Sequence, residues 1–208
     1  MKKIFTTIII ILAAFTTTTF AQQKKGDVEF GVHIGYSASG VSNSDLVNSS
    51  ISSAFNAGIA TDFYFSSRWS LKTKLIFDQK GWGSGFFSNV DNKKFITDFR
   101  LNYITLPIMA NWHFGKKRNW YLNFGPYAGY LAGAKATDIS VDVKDFFHNV
   151  DFGLAAGIGT KIPLSDNVKL LFEYDNQAGL TDIFKENPGS AIRNSRGSLN
   201  VGFSFILK

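Results

Sequence analysis

Charged side chains recur at alternate positions along several apolar stretches of this chain. Lys72 and Lys74 share one parity within "LKTKLIFDQK", and Glu173 and Asp175 share one within "LFEYD". Successive side chains of a β-strand point to opposite faces, so these groups would line one face of their strands. Five bases and six acids occupy such positions: Glu29, Asp62, Lys72, Lys74, Asp78, Lys80, Asp151, Lys161, Lys169, Glu173 and Asp175. Because a buried charge is costly unless it is paired, this near balance predicts a network of ion pairs.

Three histidines are the other candidate catalytic or metal-binding groups. His33 and His113 fall on the same strand faces as the charges, whereas His148 lies in a polar connection near Asp145 and Asp151. A lipid hydrolase needs a serine, a histidine and an acid in contact, and a metal site needs converging ligands. The spacing predicts neither, so we assign no catalytic, metal or cofactor residue and expect a non-enzymatic protein. A lipid-modifying enzyme at the rim of the fold, using His148, stays open as an alternative.

Alternation of apolar residues with small or polar ones predicts eight strands. They span residues 28–37, 54–65, 69–82, 101–114, 120–133, 150–161, 168–179 and 197–207. Polar connections of about 16 residues follow the first, third, fifth and seventh strands, and the short turns "SSR", "GKKRN" and "PLSDN" follow the others. Long loops at one end and tight turns at the other are typical of an antiparallel up-and-down barrel in an outer membrane.

One face of each predicted strand is bulky and apolar, and the other carries glycine, asparagine or charge. In the last strand, Leu199, Val201 and Phe203 alternate with Asn200 and Gly202. A soluble, lipocalin-like barrel would turn the bulky face inward, but an eight-stranded lumen is only wide enough for side chains to fill it. Rows of phenylalanine would crowd that lumen, so we predict that the bulky face meets lipid. Aromatic residues beside the short turns then form an interfacial girdle: Phe65, Trp69, Trp112, Phe114 and Trp120.

The first residues have the pattern of a secretory signal peptide. Lys2 and Lys3 precede a short apolar run diluted by threonine, with a small residue at Ala21. We expect residues 1–21 to be cleaved, residues 22–27 to form a short periplasmic segment, and residues 28–208 to form one all-β transmembrane barrel domain. Loss of Lys2 and Lys3 lowers the formal net charge from +6 to +4. This small excess argues against nucleic acid as a partner.

Several segments resemble a known family. "NYITLPIMANWHFG", "NFGPYAGYL", "DFGLAAGIG" and "EYDNQAGLTDI" are similar to strands of the eight-stranded outer-membrane barrels of Bacteroidetes, described as porin-family or PorT-like. The terminal Asn200, Gly202, Phe205 and Leu207 resemble the signal that the barrel assembly machinery reads, although leucine replaces the usual closing aromatic residue. The resemblance implies a bacterial outer-membrane location, with outer-membrane lipid and the assembly machinery as partners.

We expect a structural or interaction role, in which the lumen is closed by paired charges and the extracellular loops form the binding surface. A narrow passive, porin-like channel is the alternative, because the same charges could line an ion path. The loop aromatics Phe86, Phe87, Phe146 and Phe147 either mark a surface for an envelope protein partner, or they dip into the outer membrane interface or cover the barrel mouth.

Overall fold

The structure is a computed structural model that describes residues 23–42, 49–88 and 94–207. Its strands are β1 (Val28–Val41), β2 (Ser52–Tyr64), β3 (Trp69–Ser88), β4 (Lys94–Phe114), β5 (Trp120–Ala136), β6 (Val141–Asp142), β7 (Val150–Pro163), β8 (Val168–Gly179) and β9 (Asn194–Leu207). One turn of 3-10 helix covers Lys144–Phe146. None of the helical structure in the described ranges is long and apolar enough to cross a bilayer. The predicted signal peptide, residues 1–21, lies outside these ranges.

The strands close into a ring. Each long strand pairs in antiparallel fashion with its two neighbours, and β1 pairs with both β2 and β9. Pairing of β4 with β5 completes the circle, whereas the two-residue β6 attaches only to the outer end of β5. The predicted eight-stranded antiparallel barrel is therefore confirmed. Closure leaves no long strand with an unpaired edge.

The two ends of the barrel differ, as the sequence predicts. Residues 65–68, 115–119 and 164–167 make tight turns at one end, where Val28 pairs with Leu207. The segment before β1 is fixed at this end by backbone hydrogen bonds between residues 26–27 and Tyr64. The longer connections all lie at the opposite end.

The long connections are shorter than predicted, because strands continue into them. β3 and β4 extend to Ser88 and from Lys94, which leaves only residues 89–93 between them. A β-bulge explains why alternation in the sequence does not predict that β3 continues. Residues 83–84 both lie opposite Asp98, so the apolar alternation breaks after Trp82. A second bulge at Ala132 reverses the parity of β5 beyond Leu131.

The two faces of the wall point as predicted. Bulky side chains such as Phe55 and Phe124 are 69% and 56% exposed on the outside, whereas Asp78 is 0% exposed inside. The outward row of the seam strand β9, from Leu199 to Leu207, alternates with a buried inward row. The apolar outer wall suits hydrocarbon, and the lumen holds the polar and charged groups.

Gly202 provides a test of closure, because its missing side chain lets β9 approach β1. A Cβ atom there would overlap the carbonyl oxygen of Val32 and lie 2.9 Å from the Cα of His33. We expect Gly202→Val to destabilise the closed barrel by about 3 kcal/mol, because the obstacle is backbone. Gly40→Val is the control, since Gly40 lies on the same seam with nothing within 4 Å. Equal unfolding midpoints in urea titrations of the two variants in lipid vesicles would contradict this account.

Candidate functional site

The charged lumen residues form an alternating chain of ion pairs that begins near the tight turns. Glu29 lies between Lys169 and Lys161, with nitrogen–oxygen distances of 2.8 and 2.5 Å. Lys161 also contacts Asp62 at 2.8 Å, and Asp62 is 3.8 Å from Lys72. Each interior member therefore has an opposite charge on both sides, which offsets part of its loss of hydration.

The chain continues through the middle of the barrel. Glu173 accepts from Lys72 at 3.2 Å and also pairs with Lys74. Lys74 contacts Asp175 at 3.1 Å, and Asp175 in turn binds Arg196 at 2.8 Å. All five side chains are almost fully buried. These ion pairs connect β3, β8 and β9 across the lumen. The contact of Lys72 with Asp62 adds β2.

Arg196 is the member that the sequence analysis missed. Its Nε lies 3.0 Å from Asp78, so it links Asp78 to the rest of the chain through Asp175. Lys80 and Asp151 form a further pair at 3.1 Å towards the longer connections. With Arg196 included, the buried lumen charges of the described residues are six bases and six acids. Arg196 has the parity of Ser198 and lies one residue before the predicted strand, so a longer strand would have revealed it.

Neutral donors complete the network. Tyr121 and Asn123 donate to Glu173 at 2.7 and 3.2 Å, and Tyr127 donates to Asp151 at 3.1 Å. Asn56 donates to the hydroxyls of two serines, at 2.6 and 2.8 Å. Lysine ammonium groups also lie over tyrosine rings, as in the 4.0 Å contact of Lys72 with Tyr121.

Side chains fill the space around these ion pairs. A cavity of about 10 Å³ lies beside Lys74 and Glu173. This volume admits at most one water molecule. The charged part of the lumen is therefore packed at this level of the barrel.

Two of the three histidines face the lumen, and the third lies in an outer connection. His33 and His113 are buried in the lumen, where the Ser70 hydroxyl hydrogen-bonds His113 at 2.9 Å and donates to Asp62 at 3.0 Å. A serine, a histidine and an acid are thus in contact, but the acid accepts from the serine, whereas in a catalytic triad it orients the imidazole. His148 is exposed, whereas Asp151 faces inward and binds Lys80, so the two are not brought together as a rim site would require. Within the described ranges, no group of three or more His, Cys, Asp or Glu side chains is arranged to hold a metal ion.

An apolar cluster, which we call the cap, lies at the end of the lumen with the longer connections. Its buried members are Trp82, Phe99, Leu101, Tyr103, Leu131, Ala134, Ala136, Val143, Phe147, Ile183 and Ile192. Phe147 is 1% exposed in this cluster, whereas Phe146 is 58% and Phe86 is 54% exposed. The aromatic pair at 146–147 is therefore split: one ring covers the mouth and the other remains outside. The side chain of Phe87 lies outside the part of the chain that the structure describes.

A pocket of about 400 Å³ opens above the cap, and we call it the mouth pocket. Its lining residues are Trp82, Phe86, Phe99, Val143, Asp145, Phe146, Phe147, Phe184, Lys185 and Glu186. Sequence reasoning did not find it, because its members come from strands and connections that are distant along the chain.

The predicted aromatic girdle lies at the end with the tight turns. Phe65, Trp69, Trp112 and Trp120 are exposed on the outer wall and Phe114 is half-buried beside them; the Trp69 and Trp112 rings are 6.4 Å apart. In β9, Asn200 and Gly202 face the lumen, whereas Phe205 and Leu207 face outward.

Comparison with known proteins agrees with this architecture. The family model described as "Outer membrane protein beta-barrel domain" matches residues 20–185. The fold is similar to Neisserial surface protein A, with 15% identity and a TM-score of 0.53 over 86% of this chain and 96% of that one. It is also similar to the outer membrane protein OprG from Pseudomonas aeruginosa, with 10% identity and a TM-score of 0.53 over 89% and 98%. At such identities the likeness concerns the fold alone. No curated protein sequence matches the chain.

Arg196 tests the importance of charge pairing. Arg196→Met leaves the carboxylates of Asp78 and Asp175 short of a partner in a buried site, so we expect a loss of about 3–5 kcal/mol of unfolding free energy. Arg193→Met is the control, because Arg193 is exposed and its side chain donates to the backbone carbonyl of Leu180. Addition of Asp78→Asn to Arg196→Met should recover part of the loss in urea titrations. A cost no larger than that of Arg193→Met would refute the pairing argument.

Proposed function

Because this chain belongs to the outer membrane protein β-barrel domain family and lies in the bacterial outer membrane, we propose that it is a non-enzymatic barrel with a closed lumen, whose extracellular connections form a binding surface. By the usual orientation of such barrels, the tight turns face the periplasm and the longer connections face outside. Within the family, the segment "NYITLPIMANWHFG" of β4 supports a place among the porin-family or PorT-like barrels of Bacteroidetes.

The continuous chain of ion pairs is the main observation that supports a closed lumen. Eight strands enclose a space that side chains can fill, and here both charges and neutral donors occupy it. A passing ion would have to displace several paired charges in succession. Each displaced group would then be left buried without its partner, at a cost of several kcal/mol.

The cap adds a second barrier. Its rings and aliphatic groups offer no hydrogen-bonding partner to a hydrated ion, and an apolar constriction resists filling by water. Trp82 and Phe99 stack with ring centroids 4.7 Å apart, and Phe147 packs edge-on against Trp82 at 6.1 Å. Charge pairing and the cap therefore favour a plug over a passive channel.

The binding role rests on the outer end of the molecule. Phe86 and Phe146 remain more than half exposed there, next to a concave pocket. Side chains on connections held by a rigid barrel are well placed for recognition. An envelope protein or a smaller molecule could both use this surface, and pull-down from intact cells with the barrel as bait would identify a protein partner.

Planar-bilayer recording tests the closed lumen. We expect the wild-type barrel to give no stepwise conductance, because both the ion pairs and the cap occupy its lumen. The variant carrying Lys74→Met and Glu173→Leu should also be silent, since it keeps the side-chain volume while removing two charges. The folded state of both proteins is verified by their resistance to unfolding by SDS in unheated gel samples.

A reproducible open state of the wild type, lost in the Lys74→Met and Glu173→Leu variant, would overturn the plug. It would favour the narrow channel, with the paired charges as its ion path.

The terminal strand is the basis of a separate prediction about biogenesis. We propose that Asn200, Gly202, Phe205 and Leu207 act as the signal for the barrel assembly machinery. Leu207→Phe, which restores the usual closing aromatic residue, should assemble faster than wild type with reconstituted machinery, and Phe205→Ala should assemble more slowly. Phe203→Ala is the control, because Phe203 lies on the same outward face but outside the signal. Equal rates for all of these proteins would refute the assignment.

A further inference from the structure

We infer that the mouth pocket binds a small, uncharged aromatic molecule from the extracellular side. This inference deepens the proposed function, since it rests on the outer end of the barrel being the binding surface. It assigns a ligand class and named contacts to that surface.

The pocket has a buried floor and an exposed rim. Trp82, Phe99, Val143 and Phe147 are at most 6% exposed and form the floor. Phe86 and Phe146 rise from it and are more than half exposed. A ligand that enters would therefore bury apolar surface against a preformed base, which is the usual character of small-molecule sites.

The rings of the floor are positioned to contact another ring. Trp82 and Phe184 meet edge-on at 5.9 Å, and Phe147 and Phe184 lie 4.8 Å apart. Offset-stacked and edge-to-face arrangements are the favourable geometries for adding a further aromatic group.

Size and charge define the ligand class further. A volume of about 400 Å³ is at the lower end of the range for sites of drug-sized molecules. The floor offers no charged side chain to pair with an ionised ligand, so the part of the ligand that enters must be neutral. The charged lining residues, Asp145, Lys185 and Glu186, are exposed. They place the entrance in water and favour a dissolved molecule over a lipid acyl chain.

The floor also separates a bound molecule from the lumen below. Leu101, Tyr103 and Leu131 of the cap are fully buried beneath the aromatic floor, and the Lys80–Asp151 pair accompanies them in the lumen. A ligand at the mouth would consequently be held there, and passage into the lumen would require the cap to disassemble.

Fluorine NMR of 5-fluorotryptophan-labelled barrel in nanodiscs can test the site. The chain has 4 tryptophans. Trp82 reports on the pocket, whereas Trp69, Trp112 and Trp120 on the outer wall report on ligand that merely dissolves in lipid. On titration with 2-naphthol, we expect a saturable shift of the Trp82 resonance, which Trp82→Phe assigns, with no saturable shift of the other three.

Variants of the rim and the floor provide the controls. The Phe86→Ala and Phe146→Ala double variant should weaken the apparent affinity about tenfold, because two aromatic walls are lost. Gly85→Ala should weaken it as well, since the added methyl would overlap Trp82 and lie 2.7 Å from Phe99. Ile96→Ala is the matched control: Ile96 pairs with Phe86 across the strands and is 64% exposed, but it does not line the pocket.

Two results would overturn the inference: a Trp82 shift that only parallels those of the other tryptophans, or unchanged affinity in the double variant. Neither of them bears on the closed lumen, which the conductance experiment tests. Conversely, a conducting wild-type barrel would refute the plug and leave the naphthol titration interpretable.

Discussion

The pairing of every buried charge is the constraint on which the rest of this structure depends. The lumen of an eight-stranded barrel is narrow and holds little water, so an isolated ammonium or carboxylate inside it would be strongly destabilising. The chain that runs from Lys169 through Glu29 to Arg196 and Asp78 meets this requirement by alternation of sign. Since its members come from different strands, the same contacts also fix the relative position of the strands.

The chain of ion pairs needs space, and glycine supplies it. Tyr121 pairs across the strands with Gly159, and Tyr127 pairs with Gly153. A Cβ atom at Gly159 would overlap the Tyr121 ring, so the absence of a side chain there creates a slot for the ring. The ring in its slot carries the ammonium of Lys72 on its face and donates its hydroxyl to Glu173. Glycine on the inner wall thus makes room for the side chains of the charge network, whereas the bulky apolar residues lie on the lipid-facing wall.

Much of this network is predictable from alternation alone, and the failures have local causes. Lys72, Lys74 and Glu173 lie in strand segments without a bulge, so counting every second residue finds their face. Arg196 was missed because the strand boundary was placed too late by three residues. The continuation of the strand beyond Trp82 escapes the same counting, because two residues there oppose a single partner. Which of Phe146 and Phe147 turns inward depends on contacts with Trp82 and Phe184, residues that are remote in sequence.

Closure and recognition depend on the same side chains at the outer end. Trp82 and Phe99 belong to strands, so the base of the mouth pocket is fixed by the barrel, whereas Phe146 and Lys185 come from connections that can vary in sequence without affecting the wall. A site whose deep contacts lie on rigid elements loses less conformational freedom when it binds a ligand. The cap that excludes water from the Lys80–Asp151 pair is therefore also the surface against which a ligand would pack. An aromatic molecule bound there would bury more of the cap, and it would stabilise the closed barrel because only the folded state forms that surface.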